Sequence, residues 1–211
     1  MIPKNTVVYD LEIRNNIDKV NIGWGDHDKM GVSSLVSFDY RDDRFHLYGE
    51  DNLHSFIQRL VEPKTFIVTF NGIGFDDKVL KHYQPRDTSP NSVTPFKLAY
   101  PTQETTAHHV DILALIVKAT GKRAKLDDVL RETLGPDSVK SGSGAFAPQM
   151  WQEGRIGELF DYNLVDTLRT KELLEFIDRE DYCMVYGRKV LIQLPWDNAN
   201  DEAVSYEEKP S

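Results

Sequence analysis

The chain is predicted to fold as a mixed α/β domain, with a five- to six-stranded sheet flanked by helices on both faces. Its 211 residues suit one such domain and can bury a sizeable core. Short apolar runs crowd the first part of the chain and helical spacing dominates the later part. The order is strands, helix, strand, helix, strand and then helices, as in a mixed sheet with helices on both faces. Thr6 to Ile13 reads as a buried strand, with Val7, Val8, Tyr9, Leu11 and Ile13 around two acids. Lys19 to Gly25, Gly31 to Tyr40 and Arg44 to Tyr48 read as further strands. Asp51 is expected to cap a helix through about Val61, where Leu53, Phe56, Ile57 and Leu60 recur at helical spacing. Phe66 to Phe70 is a short strand, Asn71-Gly72 a turn, and Phe75 to Tyr83 a helix. Arg86 to Thr106 carries three prolines and reads as a long loop. His108 to Ile112 is the next strand, running into a helix through Thr120, and Leu126 to Leu134 is a helix ended by Gly135-Pro136. Ser138 to Ala147 reads as a mobile loop, Ile156 to Arg179 as a long helix and Lys189 to Leu194 as a last strand. The expected domain is residues 1–194, with 195–211 an acidic, disordered tail. The strand bearing Asp10 is expected beside the strand ending at Phe70, with the His108 strand next to it.

The 40% apolar and 28% charged content is ordinary for a soluble globular chain. No apolar run is long enough to span a membrane and no secretion signal is read at the N-terminus. Cys183 is the single cysteine, which excludes an internal disulfide framework and a cysteine-based zinc site. A cytoplasmic, reducing location is therefore expected. The net charge of −9 argues at first against nucleic acid. However, residues 195–211 hold five acids and one lysine, and four more acids belong to the motifs below. The body is left near −1, so a nucleic-acid substrate is compatible with the charge, while tight binding of long duplexes is not.

Three carboxylate motifs carry the chemistry: Asp10-Leu11-Glu12, Asn71-Gly72-Ile73-Gly74-Phe75-Asp76 and Tyr162-Asn163-Leu164-Val165-Asp166. Residues i and i+2 of a strand share a face, so Asp10 and Glu12 project together. Two acids inside an apolar strand cost several kcal/mol unless something neutralises them; the plain alternative is a solvated strand end. Asp76 at a helix start is favoured by the dipole, or, with Asp77, merely caps the helix. Tyr162 and Asp166 lie one turn apart on one helical face with Leu173 and Ile177, or simply hydrogen-bond to each other on a helix flank. Ligands gather at strand ends beside a switch in strand order, and all three motifs converge there.

This constellation resembles the DEDD exonuclease family of the ribonuclease H-like fold over roughly residues 5–180, with the motifs in the family's order. The phenol of Tyr162 four before Asp166 is similar to the tyrosine branch; the histidine branch would place a histidine at position 161, where this chain has Asp161. Trp24-Gly25, Met30-Gly31-Val32-Ser33, Leu126-Asp127-Asp128 with Leu134-Gly135, and Trp151-x2-Gly154-Arg155 also resemble a bacterial and phage group of stand-alone exonucleases. The resemblance implies sheet order 3-2-1-4-5 and a metal-dependent 3′→5′ exonuclease acting on single-stranded DNA ends. It implies two Mg²⁺ or Mn²⁺ ions, with Asp10 bridging them, Glu12 and Asp166 completing the first and Asp76 supporting the second. Tyr162 would orient the attacking water. Oxygen-only ligands suit these hard cations better than zinc. An accessory or proofreading role, docked to a polymerase or helicase through the acidic tail, and an RNA-directed nuclease are the other expectations.

Leu11 and Ile13 are similar to apolar residues that pack near a terminal base in this family, with a core role equally open. Asn71 and Phe75 are further candidates for substrate contact, as is Lys140 with the Ser141-Gly142-Ser143-Gly144 loop for tracking a single strand. Lys118, Lys122, Arg123 and Lys125 form a basic segment, read as a solvated loop ahead of a phosphate contact. His108-His109 reads as structural.

Overall fold

Strand β1 (Thr6–Ile13) lies at the centre of a five-stranded sheet in the order β3-β2-β1-β4-β5. The structure is a computed structural model and describes residues 1–18, 21–62, 64–83, 109–138 and 144–196. β2 (Val32–Asp39) runs antiparallel to β1, and β3 (Arg44–Tyr48) antiparallel to β2. β4 (Phe66–Thr69) and β5 (His109–Asp111) add in parallel on the other side. This is the expected strand order, and the expected mixed sheet with helices around it.

The period-2 alternation of β1 sorts its side chains into two cores. Val7, Tyr9, Leu11 and Ile13 join Met30, Phe56, Ile57 and Leu80 on one face. That layer is built by α1 (His27–Met30), α2 (Leu53–Leu60) and α3 (Asp76–Leu80). Val8, with Val68 and Val110, joins the opposite core, where Ile112, Ile116, Leu130, Leu173 and Ile177 are buried. Its helices are α4 (Ile112–Thr120), α5 (Leu126–Leu134) and the 25-residue α7 (Ile156–Glu180), which lies across β1 and β2. Each such fully buried side chain contributes about 1.5–3 kcal/mol. Asp10 and Glu12 fall on the α7 face by the same alternation.

The two sides of β1 differ in length. β1 pairs with β2 from Val7 to Ile13, with a bulge after Glu12, but with β4 only from Thr6 to Val8. Past Val8 the β4-side edge of β1 is open to the turn that follows β4.

Several expectations need correction. No strand forms over residues 21–25; side chains satisfy the local backbone instead, and this competes with strand pairing. The Asp18 carboxylate accepts from Asn21 N–H at 2.6 Å and Asp26 Oδ2 from Gly23 N–H at 2.8 Å. Among the described residues the main sheet has five strands, within the expected five to six. Asp51 is not the cap of α2; Asn52 stands at that position, and its Oδ1 accepts from Gly49 N–H at 2.7 Å rather than from the helix. Tyr182–Val185 (β6), unread in the sequence, pairs with Arg188–Leu191 (β7) as a separate two-stranded hairpin. Part of the Ser138–Ala147 segment is 3₁₀-helical, and α6 (Ala147–Gln152) follows it. The Arg86–Thr106 loop, Lys140 and the tail beyond Trp196 lie outside the described residues. Trp196 itself is buried, and its Nε1–H donates to Asp178 at 2.8 Å. Among the described residues no helix is long and apolar enough to cross a membrane.

Candidate metal centre

Three of the acids converge. One carboxylate oxygen from each of Asp10, Glu12 and Asp166 lies within 4.8 Å of the others. Glu12 and Asp166 are buried and Asp10 is half-buried. β1 delivers the first two through its alternation, and α7 delivers the third by crossing that face. The helix is oriented by its own polar stripe: Thr167 Oγ1 donates to Val36 O of β2 at 3.1 Å, fixing the helix against the sheet. Asp166 sits between the buried Asn163, Thr167 and Thr170, while the neighbouring apolar residues Leu164, Val165 and Leu168 are only partly buried.

Asn163 is the residue that sequence reasoning missed. It is fully buried, and its Nδ2–H donates to Asp10 Oδ2 at 2.7 Å. Ser34 of β2 donates in turn to Asn163 Oδ1 at 3.4 Å. The amide thus pins one oxygen of Asp10 and ties β1, β2 and α7 together at the site. A hint was present: asparagine is a poor helix former inside a long helical run.

Asp76 arrives from the other side of β1 and stands outside that trio. Its Oδ1 accepts from the Leu11 N–H at 3.2 Å, on the open edge of the strand between Asp10 and Glu12. Burial, then the charges of Asp77 and Asp111, push its carboxyl up to about 7. The turn that delivers it is tightly held. Asn71 takes a left-handed φ of 73°, a conformation that asparagine tolerates. Asp111, at the end of β5, accepts from the N–H groups of Asn71 at 2.9 Å, Ile73 at 3.1 Å and Ala114 at 3.2 Å, so one carboxylate caps α4 and shapes the turn. A Cβ on Gly72 would collide with the Thr69 side chain, which is why the turn needs glycine there.

Behind Asp76 runs a buried polar chain. The Tyr9 hydroxyl donates to Asp77, whose other oxygen lies 3.2 Å from His109 Nδ1. His109 Nε2 is 3.0 Å from Thr69 Oγ1, which accepts from the Gly72 N–H at 3.2 Å. His109 thus braces the turn; His108 lies outside the described residues.

The other candidates fall in different places. Tyr162 is half-buried on α7, one turn before Asp166. Leu11 and Ile13 pack into the core under α2 and α3. Asn71 Oδ1 accepts from Arg123 Nη2 at 2.7 Å, so one member of the basic segment reaches the site turn. Lys122 instead lies 5.9 Å from the ring of Tyr186. Phe75 packs between α1 and α3, with Trp24 and His27 against its ring.

Three buried or half-buried carboxylates within 4.8 Å repel one another unless a cation sits among them. An all-oxygen donor set with room for solvent fits Mg²⁺ or Mn²⁺ and lacks the nitrogen and sulfur that zinc favours. The donor set therefore fits a divalent cation held by Asp10, Glu12 and Asp166. A search of curated proteins finds no match to this chain. A family model described as the RNase H superfamily matches residues 21–177, which takes in Asp76 and Asp166 and begins after β1. The fold is thus of the nuclease type, whose members use divalent metals on nucleic acids. With the matched region spanning most of the sequence, the chain belongs to the RNase H superfamily.

Proposed function

We propose that the protein is a metal-dependent 3′→5′ exonuclease that removes nucleotides from single-stranded DNA ends. The observation that carries this reading is the convergence of Asp10, Glu12 and Asp166 within 4.8 Å, with Asp76 hydrogen-bonded to the backbone between the first two. Asp10, Glu12 and Asp166 would hold one divalent cation, and Asp10 with Asp76 a second. Bound there, such ions supply a more acidic water and stabilise charge on the departing 3′ oxygen. The chain's own part is positioning. Asn163 fixes the Asp10 carboxylate, and the turn held by Asp111 presents Asp76. Tyr162, one turn from Asp166, would hydrogen-bond the attacking water and orient it in line with the phosphorus. The water oxygen bonds to phosphorus as the P–O3′ bond breaks, which releases a nucleoside 5′-monophosphate and leaves a new 3′ hydroxyl.

The test is incubation of 5′-labelled single-stranded DNA and RNA with and without Mg²⁺ or Mn²⁺. A ladder shortening from the 3′ end, stronger on DNA and absent without metal, is expected. Tyr162→Phe is expected to lower turnover sharply while leaving Mn²⁺ binding intact. No cleavage with either metal would sink the proposal, as would equal cleavage by Asp10→Ala.

A further inference from the structure

Trp24 is 66% exposed, whereas Trp196 is buried in the body of the protein. An indole left in water forgoes a large apolar burial, yet this one is held in place. Its ring meets Phe75 edge-on at a centroid distance of 6.1 Å, and His27 meets the same Phe75 ring at 6.0 Å. Phe75 directly precedes Asp76, whose carboxylate is bonded to the backbone between Asp10 and Glu12. Ile73 in the same turn is also exposed. At the turn's other end, the Arg123 guanidinium is fixed 2.7 Å from Asn71 Oδ1. The turn that presents Asp76 thus has the exposed Trp24 packed at its Phe75 end and the Arg123 charge fixed at its Asn71 end.

That pairing selects a partner. Unstacked bases offer π-faces to aromatic rings while their phosphates seek cations, and single-stranded nucleic acid presents both along one strand. A duplex hides its base faces, and the chain's net charge of −9 disfavours long duplexes. An apolar protein surface would match the rings and leave the guanidinium unused. We propose that Trp24 is a base-stacking residue for single-stranded nucleic acid, with its indole braced by Phe75, next in sequence to Asp76, and His27 flanking the same Phe75 ring. This rests on the nuclease reading of the site.

The experiment is binding of a fluorescein-labelled single-stranded oligonucleotide of about ten nucleotides, as DNA and as RNA, to the full chain carrying Asp10→Ala to prevent cleavage. Adding Trp24→Ala is expected to weaken binding by about five- to a hundredfold, the range of one lost stack. Trp24→Phe should recover most of the affinity. An abasic oligonucleotide of the same length should bind weakly and equally to both proteins, and the melting temperature should stay that of Asp10→Ala. If Asp10→Ala binds no single strand at all, the nuclease reading itself fails and the stacking role falls with it. If it binds and Trp24→Ala binds equally well, the stacking role alone is overturned. A loss of equal size on the abasic strand also overturns it, because Trp24 would then be shaping the site rather than holding a base.

Discussion

The two ends of β2 sit beside buried carboxylates that are handled in opposite ways. At its C-terminal end Asp39 meets a guanidinium: Arg59 Nε donates to Oδ2 at 2.6 Å and Nη2 to Oδ1 at 3.1 Å. Arg59 Nη1 also donates to Thr65 at 2.7 Å, and the Arg41 N–H donates to Asp39 at 2.9 Å. Near its N-terminal end, Ser34 lies under Asn163, and there Asp10, Glu12 and Asp166 converge on one another instead. The difference separates a carboxylate tied into the fold from carboxylates grouped as the ligands of a metal ion would be. Burial works to raise the Asp39 pKa, but the hydrogen bonds from Arg59 and the Arg41 backbone win and hold it below the usual carboxylate range. Burial and like charge both push Asp76 the other way.

Each half of that contrast can be broken. The largest effect is expected from Asp10→Ala, which removes an acid from the trio and should cut metal-dependent hydrolysis by at least about a thousandfold, several kcal/mol of transition-state stabilisation. Circular dichroism should show the fold intact; residual activity within tenfold of the parent would break the contrast. Next, Arg59→Ala strands the buried Asp39 charge and should cost about 3–5 kcal/mol in urea unfolding. A loss below about 1 kcal/mol would mean that the Arg59 pair stabilises no more than an exposed one.

The pH responses should run in opposite directions in metal-free protein. Asp39, with its pKa lowered on folding, supports stability fully above the unfolded carboxyl value of about 4, and that support is lost as pH falls through the lower folded value. Asp76, raised to about 7, does the reverse: its support is present below about pH 4 and lost as pH rises through 7. Asp76→Asn, which keeps an oxygen for the Leu11 N–H, should therefore stabilise the metal-free protein at pH 8 by a few kcal/mol at most and change little at pH 4. Thermal melts at the two pH values decide it, and a gain of equal size at both would exclude charge as the cause. The smallest effect sharpens the metal half. Asn163→Leu should weaken Mn²⁺ binding by about 10- to 100-fold through loss of orientation of Asp10, read by calorimetry. Unchanged Mn²⁺ affinity in a folded variant would leave Asn163 as packing alone.

Much of this was legible in the sequence because it rests on short-range rules. The alternation that puts Asp10 and Glu12 opposite Leu11 and Ile13 is a property of any strand, while the strand order was expected from the family resemblance. The bounds of α5 at Leu126–Leu134 were readable from its periodicity and the Gly135-Pro136 stop. What was hidden depends on contacts between distant elements. Asn163 reaches Asp10 only because α7 is rotated to place Thr167 against β2. Asp111 holds the turn from forty residues away. The Lys19–Gly25 run has strand-like apolar residues, but side chains at Asp18 and Asp26 claim the backbone first. Cys183 and Val190 come opposite each other only after α7 ends.

The early stop of β4 has one more consequence. Beyond Val8, no strand among the described residues pairs with the β4-side edge of β1, and its backbone groups need other partners. Asp76 supplies one such partner by accepting from the Leu11 N–H. The acid proposed for chemistry thus also satisfies a buried backbone donor of the central strand. A hydrophobic substitution at Asp76 would take that partner from the Leu11 N–H, at a cost of about 1–3 kcal/mol of stability on top of any loss of activity.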